Sequence, residues 1–403
     1  MVSRSRLLKD MLQHAAVRIV SGLLSIYLFS LIAKHYAAGD AKDILFFLFV
    51  LGFFAAALRS LSAMAAALDR HTRTSDKLRR VAHSAQTTAI GSALLMPVIM
   101  FVLGRSHPPA LVLAAAALLI FTCALDGDLV RALVARPPLF STLFAAGNLI
   151  SVTWLHSQNG WPRDAAFIAV LLQWLPVCVV NGWVAMRRLC PLRMQIGAPG
   201  SRSAAYLATI LCVALFDGLV LNLPFLFGKG LPAEVGLDIA VVIRIFSASL
   251  LFFPLGMHWL NSGAIGRFAN RLHWQPLRTY LVFQLVASLV TGIGFATFFV
   301  LFSHRTMSIS QFVAFGGLVT AYCTYASFAR FHGALLPGRQ LVPGLLVVLG
   351  TLLVAFLVIP HLTTPGALSI AVIQALGLAA GSAMIVIIQR TRGTATSQGQ
   401  ART

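Results

Sequence analysis

HAAVRIVSGLLSIYLFSLIAKHYAAGDAKDILFFLFVLGFFAAALRSLSAMAAALDR, residues 14–70, consists of two apolar runs joined by a short polar turn. The runs cover 14–34 and 43–66. An α-helix rises about 1.5 Å per residue, so about 20 apolar residues cross the roughly 30 Å hydrocarbon core of a bilayer. Both runs reach that length, and the turn at 37–43 is too short to hold any element of its own. The stretch reads as a hairpin of two transmembrane helices. Each run also carries one arginine, Arg18 and Arg59, in otherwise apolar surroundings.

The pattern continues to the far end of the chain. Further apolar runs lie near 83–104, 109–127, 138–156, 165–186, 203–228, 237–259, 279–302, 310–333, 341–360 and 366–389, which brings the expected number of spans to about twelve. Composition agrees. Of 403 residues, 58% are hydrophobic and 10% are charged, whereas soluble domains carry about 25% charged residues. Mean hydropathy is +0.85. The expected fold class is therefore an all-α integral membrane protein of about 12 transmembrane helices. The inter-span loops are too short to fold alone, which argues against an extramembrane catalytic domain. The N-terminus does not resemble a cleavable signal, because its apolar run is long and many others follow it.

The charges give an orientation. With the N-terminus inside, 22 of the 31 Lys and Arg residues fall in inner segments. Only Lys34, Lys42, Arg105, Arg163, Lys229 and Arg305 fall outside. This asymmetry follows the rule that positive residues stay on the cytoplasmic side. It predicts a multi-pass protein of the bacterial inner membrane with both termini cytoplasmic. It also accounts for the net charge of +20 without a nucleic-acid partner, since the basic residues are spread over many short loops. Tyr36, Trp154 and Trp161 fall near outer ends, and Trp183, Trp259 and Trp274 near inner ends, as an interfacial belt requires.

An internal echo suggests two halves. Gly39-Asp40-Ala41-Lys42-Asp43-Ile44 opens the second span, and Glu234-Val235-Gly236-Leu237-Asp238-Ile239 opens the eighth. They stand six spans apart, as a parallel duplication would place them. The expected lobes are 1–190 and 200–390, followed by a disordered cytoplasmic tail at 391–403. Cys123, Cys178, Cys190, Cys212 and Cys323 show neither C-x-x-C spacing nor a disulfide framework. No cofactor, metal or catalytic constellation is expected.

Three arginines remain inside the spans: Arg18, Arg59 and Arg244. Asp217 is the acid lying deepest in an apolar run. A charge facing lipid costs several kcal/mol, so such residues usually face a partner or a watery cavity. Arg18 lies near the cytoplasmic end, where snorkelling would also explain it. Arg59 lies roughly 13 Å from the inner end of its span. Arg244 lies six residues past Asp238, about 9 Å from the outer face, and Asp217 lies about 16 Å from it. An Asp217–Arg244 ion pair is one expectation. Competition for Arg244 by an anionic substrate is another, and the two are compatible. Three guanidinium groups against one carboxylate suit a phosphate-bearing substrate, because the guanidinium fork binds phosphate oxygens in pairs.

Three segments resemble the MOP flippase superfamily, in particular its polysaccharide (Wzx-type) and peptidoglycan-precursor flippases. They are Arg18 through Arg59 with AAGDAKDILFFLF at 37–49, ALDGDLVRALVAR at 124–136, and Asp217 through Pro254. The second segment lacks the aromatic residue usual after its acid at 128. The resemblance implies two six-helix lobes around a central cavity. It implies a flippase that carries a polyprenyl-pyrophosphate-linked oligosaccharide to the periplasmic leaflet. By position, Arg18, Arg59 and Arg244 would bind the pyrophosphate, and Asp217 would couple or gate. The implied partners are the anionic lipid-linked glycan, membrane lipids and a coupling ion, proton or sodium.

Other expectations compete with this one. A major-facilitator-type transporter of a small anion shares the twelve-span layout. Leu68-Asp69-Arg70 with Arg79-Arg80 resembles part of that class's loop motif, although the glycines are missing. An integral membrane glycan-assembly enzyme would need an acid–base constellation near one face. Asp126 and Asp128 are the acids placed there, and His107 and His156 lie outside with Asp164. A non-transporting scaffold of a glycan-assembly complex is the remaining expectation.

Overall fold

The structure, a computed structural model, describes residues 4–48, 137–180, 232–249 and 274–333, with isolated helical positions between 346 and 383. Side chains are described over 15–48, 142–180, 232–249 and 282–321, and at some of those isolated positions. All regular elements among these residues are helices. They are α1 (Arg4–His35), α2 (38–48), α3 (Pro137–Ser157), α4 (Arg163–Leu172), α5 (175–180), α6 (Ala233–Ser249), α7 (Trp274–Ser303) and α8 (Ile309–Gly333). Their positions agree with the expected spans at 14–34, 138–156, 279–302 and 310–333 to within a few residues, except that α1 begins ten residues earlier. The expected spans at 83–104, 109–127 and 203–228 lie outside the described residues, as does most of 341–360 and 366–389. Ala15–His35 and Val282–Ser303 are each long and apolar enough to cross a membrane.

The expected span at 165–186 is interrupted in the structure. Helix α4 stops at Leu172, and a turn at 173–174 precedes α5. Pro176 accounts for the break. It has no N–H to donate to Leu172, and its ring crowds the preceding turn. The chain tightens there, with the Trp174 N–H donating to the Leu171 carbonyl at 3.0 Å.

On faces of three helices the burial pattern is the reverse of a soluble protein's. On α7, Gln284 and Ser288 are fully buried, while Val282, Phe283, Val286 and Val290 are each more than half exposed. On α3, Asn148 and Ser151 are fully buried and Leu149 is 55% exposed. On α1, Ser21 and Ser25 are inside and Val20 is outside. In water this arrangement would expose apolar surface and desolvate polar groups together. In lipid both choices are favourable, because the tails solvate Val and Leu while polar side chains find partners between helices.

The chain divides into two compact units. One is Met1–Leu251 with Ile293–Met307, and the other is Phe252–Gly292 with Ser308–Thr403. In the first unit, α6 is buried over nearly its whole circumference, from Gly236 to Ser249, which makes it the central helix. Around it the core interlocks through aromatic pairs: Phe29–Phe299 at 5.6 Å, Phe47–Phe167 at 5.3 Å and Phe144–Trp174 at 5.1 Å. In the second unit, α7 and α8 meet where Gly292 lies under the ring of Phe315.

The first unit gathers those described segments that charge assigns to the outside. Arg163 at the start of α4 pairs with Asp43 at 2.9 Å and Asp40 at 3.3 Å, both on α2. Arg305 pairs with Glu234 of α6 at 3.1 Å and donates to the Ala33 carbonyl of α1 at 3.3 Å. The Tyr36 hydroxyl donates to the Pro162 carbonyl at 3.2 Å. Lys34, Lys42, Arg163 and Arg305 thus stand at one end of this unit. Each of these exposed pairs adds little stability, but together they fix which helix ends are neighbours.

Burial pushes the Tyr36 hydroxyl up to about 12. An unfolded chain ionises this phenol near pH 10, so the fold loses stability as pH rises above about 10. Absorbance titration of the phenols should show one component ionising near pH 12, and Tyr36→Phe should remove it. Survival of that component in the variant would place it on another tyrosine.

Candidate functional site

Helix α1 carries a polar stripe. Arg18, Ser21 and Ser25 are spaced three and four residues apart, which puts them on one face. Two other helices reach it. From α6, the Arg244 guanidinium donates through Nη2 to the Ser25 hydroxyl. From α3, the Asn148 amide donates to the Ser21 carbonyl at 3.2 Å and lies 3.5 Å from its hydroxyl. A guanidinium in an apolar helix is thereby oriented by a neutral hydroxyl, which leaves its charge uncompensated at that contact.

Several polar atoms around the stripe have no hydrogen-bond partner among the described residues. They include Arg244 Nε, Asn148 Oδ1 and both amide atoms of Gln173, all buried. Gln173 sits on the α4–α5 break and is 1% exposed. Its backbone passes directly over Gly147 of α3, one residue before Asn148. Buried donors and acceptors of this kind are costly unless another group satisfies them. Arg244 is the permanent charge here. It can grip an anion through the nitrogens that Ser25 does not use.

Ser25 and Arg244 lie at similar distances from the outer ends of their helices. Helix α6 starts at Ala233, four residues before the expected start of its span. Arg244 is eleven residues into the helix, about 16 Å from its outer end. Ser25 is ten residues before His35, about 15 Å from the same end. Both lie near mid-depth of a roughly 30 Å core.

Of the four charges singled out in the sequence, Arg18 and Arg244 share the α1 stripe, about seven residues apart in height. Arg18 is half-buried and has partners. Arg59 and Asp217 lie outside the described residues. Ser21, Ser25, Asn148 and Gln173 were not anticipated. Their signal was present as polar residues in apolar runs, with Ser21 and Ser25 at helical spacing from Arg18. Among the described residues no cluster of His, Cys, Asp and Glu could hold a metal.

No protein-family description matches the sequence, and no curated protein matches it. Solved structures do match its shape. A multidrug-resistance MATE-family transporter of the MOP superfamily, in an outward-facing conformation, superposes with a TM-score of 0.61 at 14% identity, over 97% of this chain and 96% of that one. A MATE transporter in a bent conformation superposes with a TM-score of 0.60 at 13% identity, over 98% and 97%. A MOP-superfamily transporter from Pyrococcus furiosus, described as having a binding pocket of reverse polarity that suggests a different function, gives a TM-score of 0.60 at 14% identity, over 97% and 95%. At this identity the shared property is architecture: the chain is similar in fold to multi-helix membrane transporters of the MOP superfamily.

Proposed function

We propose that this protein is a membrane transporter, a flippase that moves a polyprenyl-pyrophosphate-linked oligosaccharide from the cytoplasmic to the periplasmic leaflet. The observation that carries the reading is Arg244, held near mid-depth by Ser25 on a stripe that also bears Arg18. A fixed guanidinium with free donors suits the paired oxygens of a pyrophosphate. The MOP fold supports transport rather than catalysis, so the protein is no enzyme in this reading. The Pyrococcus furiosus transporter, described as having a binding pocket of reverse polarity that suggests a different function, shows that pocket polarity varies within this fold.

In this mechanism Arg18 and Arg59 receive the pyrophosphate near the cytoplasmic face and Arg244 takes it over deeper in the membrane. Two lobes, 1–190 and 200–390, present these groups in turn by alternating access. Asp217 couples the cycle to a proton or sodium ion or gates it. Both termini lie in the cytoplasm and the protein resides in the inner membrane.

Export of an organic cation is the second reading, favoured by the multidrug MATE transporter with the same fold. The two arginines Arg18 and Arg244 set on or against the α1 stripe disfavour it. The test is transport by the purified full chain in proteoliposomes. A fluorescent polyprenyl-pyrophosphate oligosaccharide should cross between leaflets in protein-containing vesicles only. An organic cation such as ethidium should not accumulate. Ethidium transport without movement of the glycan lipid would overturn the proposal.

A further inference from the structure

The outer end of the first unit holds a ring cluster that the transport reading leaves unused. His35, the last residue of α1, stacks flat on Trp161, with ring centroids 3.9 Å apart and planes 2° from parallel. His156, near the end of α3, meets the same indole edge-on at 5.8 Å. On its other side, the His156 Nε2 lies 3.1 Å from the Tyr27 hydroxyl of α1. Tyr27 in turn packs against Phe302 at 5.1 Å and Phe298 at 6.4 Å. One indole therefore bridges two imidazoles and joins the end of α1 to the α3–α4 turn.

That turn is strained to present the indole. Gly160 has φ +74°, and Trp161 follows it with φ +50°. A bulky residue rarely adopts the left-handed region, and it persists there only where surrounding structure holds it. The stacked His35 ring is part of what holds Trp161.

The surrounding charges make the cluster sensitive to protons. Lys34 and His156 are the groups whose charge bears on His35, and both are cationic when protonated. Three of the acids at this end are engaged elsewhere. Asp40 and Asp43 pair with Arg163, and Glu234 pairs with Arg305. Asp164 stands exposed in the first turn of α4, and Lys42 adds a further positive charge on the same end. Among the described residues neither imidazole has a carboxylate partner. One imidazolium is tolerable, because a cation stacks favourably on indole. Two on the same indole, beside Lys34, repel each other with no anion between them.

We propose that His35, Trp161 and His156 form a proton-operated latch, which ties α1 to the α3–α4 turn while at most one imidazole is charged and releases it when both are. Imidazole is the side chain suited to switching between about pH 5 and pH 8. On the orientation given by the basic residues, the latch reads the pH of the outer compartment. It does not depend on which substrate is carried.

The test uses the full chain in lipid nanodiscs with its five cysteines replaced by alanine. Spin labels at Ala37→Cys and Asn159→Cys report the separation of the two segments by pulsed electron resonance. At about pH 8 the parent should show one short, narrow distance population. At about pH 5 a longer or broader population should appear. His35→Gln and His156→Gln should each abolish the acid response, because a single imidazolium does not open the latch. Trp161→Leu should show the broad population at both pH values. Identical distributions at both pH values in the parent would overturn the proposal. So would an acid response that persists in either histidine variant.

Discussion

On the proposed flippase mechanism, Arg244→Ala should reduce export of the lipid-linked glycan on the order of 100-fold, while membrane abundance stays near that of the parent. The magnitude follows from removing one partner of a desolvated, charge-assisted pair, which costs about 2–5 kcal/mol. The Ser25 hydroxyl left behind is neutral and can return its hydrogen bond to its own helix, as Ser30 does to the Ile26 carbonyl at 2.8 Å. Stability therefore suffers far less than transport. Arg244→Lys keeps the charge but loses the planar fork, and should lower export by about tenfold. Ser25→Ala leaves the guanidinium in place but unaimed, so it should fall between the parent and Arg244→Lys. A structural arginine predicts a different order, in which Lys substitutes fully and Ala mainly depletes the protein. Export per unit of membrane protein, measured for each variant, separates the two. Parental export by Arg244→Ala would end the phosphate-gripping role.

Gly147→Ala should be the most damaging small substitution among the described residues. A Cβ at this position would stand 2.0 Å from the Gln173 carbonyl oxygen and 2.6 Å from its carbon. Both atoms are backbone, so no rotamer change can relieve the clash. Helix α3 must move away from the α4–α5 turn, carrying Asn148 off Ser21. Overpacking of this kind costs about 3 kcal/mol, and a close helix crossing built on glycine offers little room to share it. Gly292→Ala is the matched comparison. There the obstruction is the far end of the Phe315 side chain at 1.9 Å. A ring can tilt, so this variant should lose less. Thermal unfolding in detergent should rank parent, Gly292→Ala and Gly147→Ala in falling order. Equal midpoints for Gly147→Ala and the parent would show that the crossing is looser than the structure describes.

The helix ends show how sequence and structure divide the work. The apolar run at 279–302 and helix Trp274–Ser303 agree closely, because lipid demands a long uninterrupted stretch and every residue contributes to that signal. The run at 165–186 was misjudged as one continuous helix. Pro176 was visible in it, but hydropathy does not register a missing N–H. Helix α6 began earlier than expected because Ala233 to Gly236 are helical without being strongly apolar.

Composition and the spacing of apolar runs determined that this is a helical membrane protein, since burial in lipid acts on each side chain separately and leaves its mark along one dimension. The distribution of Lys and Arg likewise singled out Arg18 and Arg244 as charges within spans. Only the tertiary structure decided which groups meet: Arg244 with Ser25, Asn148 with Ser21, and two histidines on one tryptophan. All of these pairings except His156–Trp161 join residues more than a hundred positions apart in the chain. They are set by how helices cross and rotate against each other, a geometry that the pattern along any single helix does not contain.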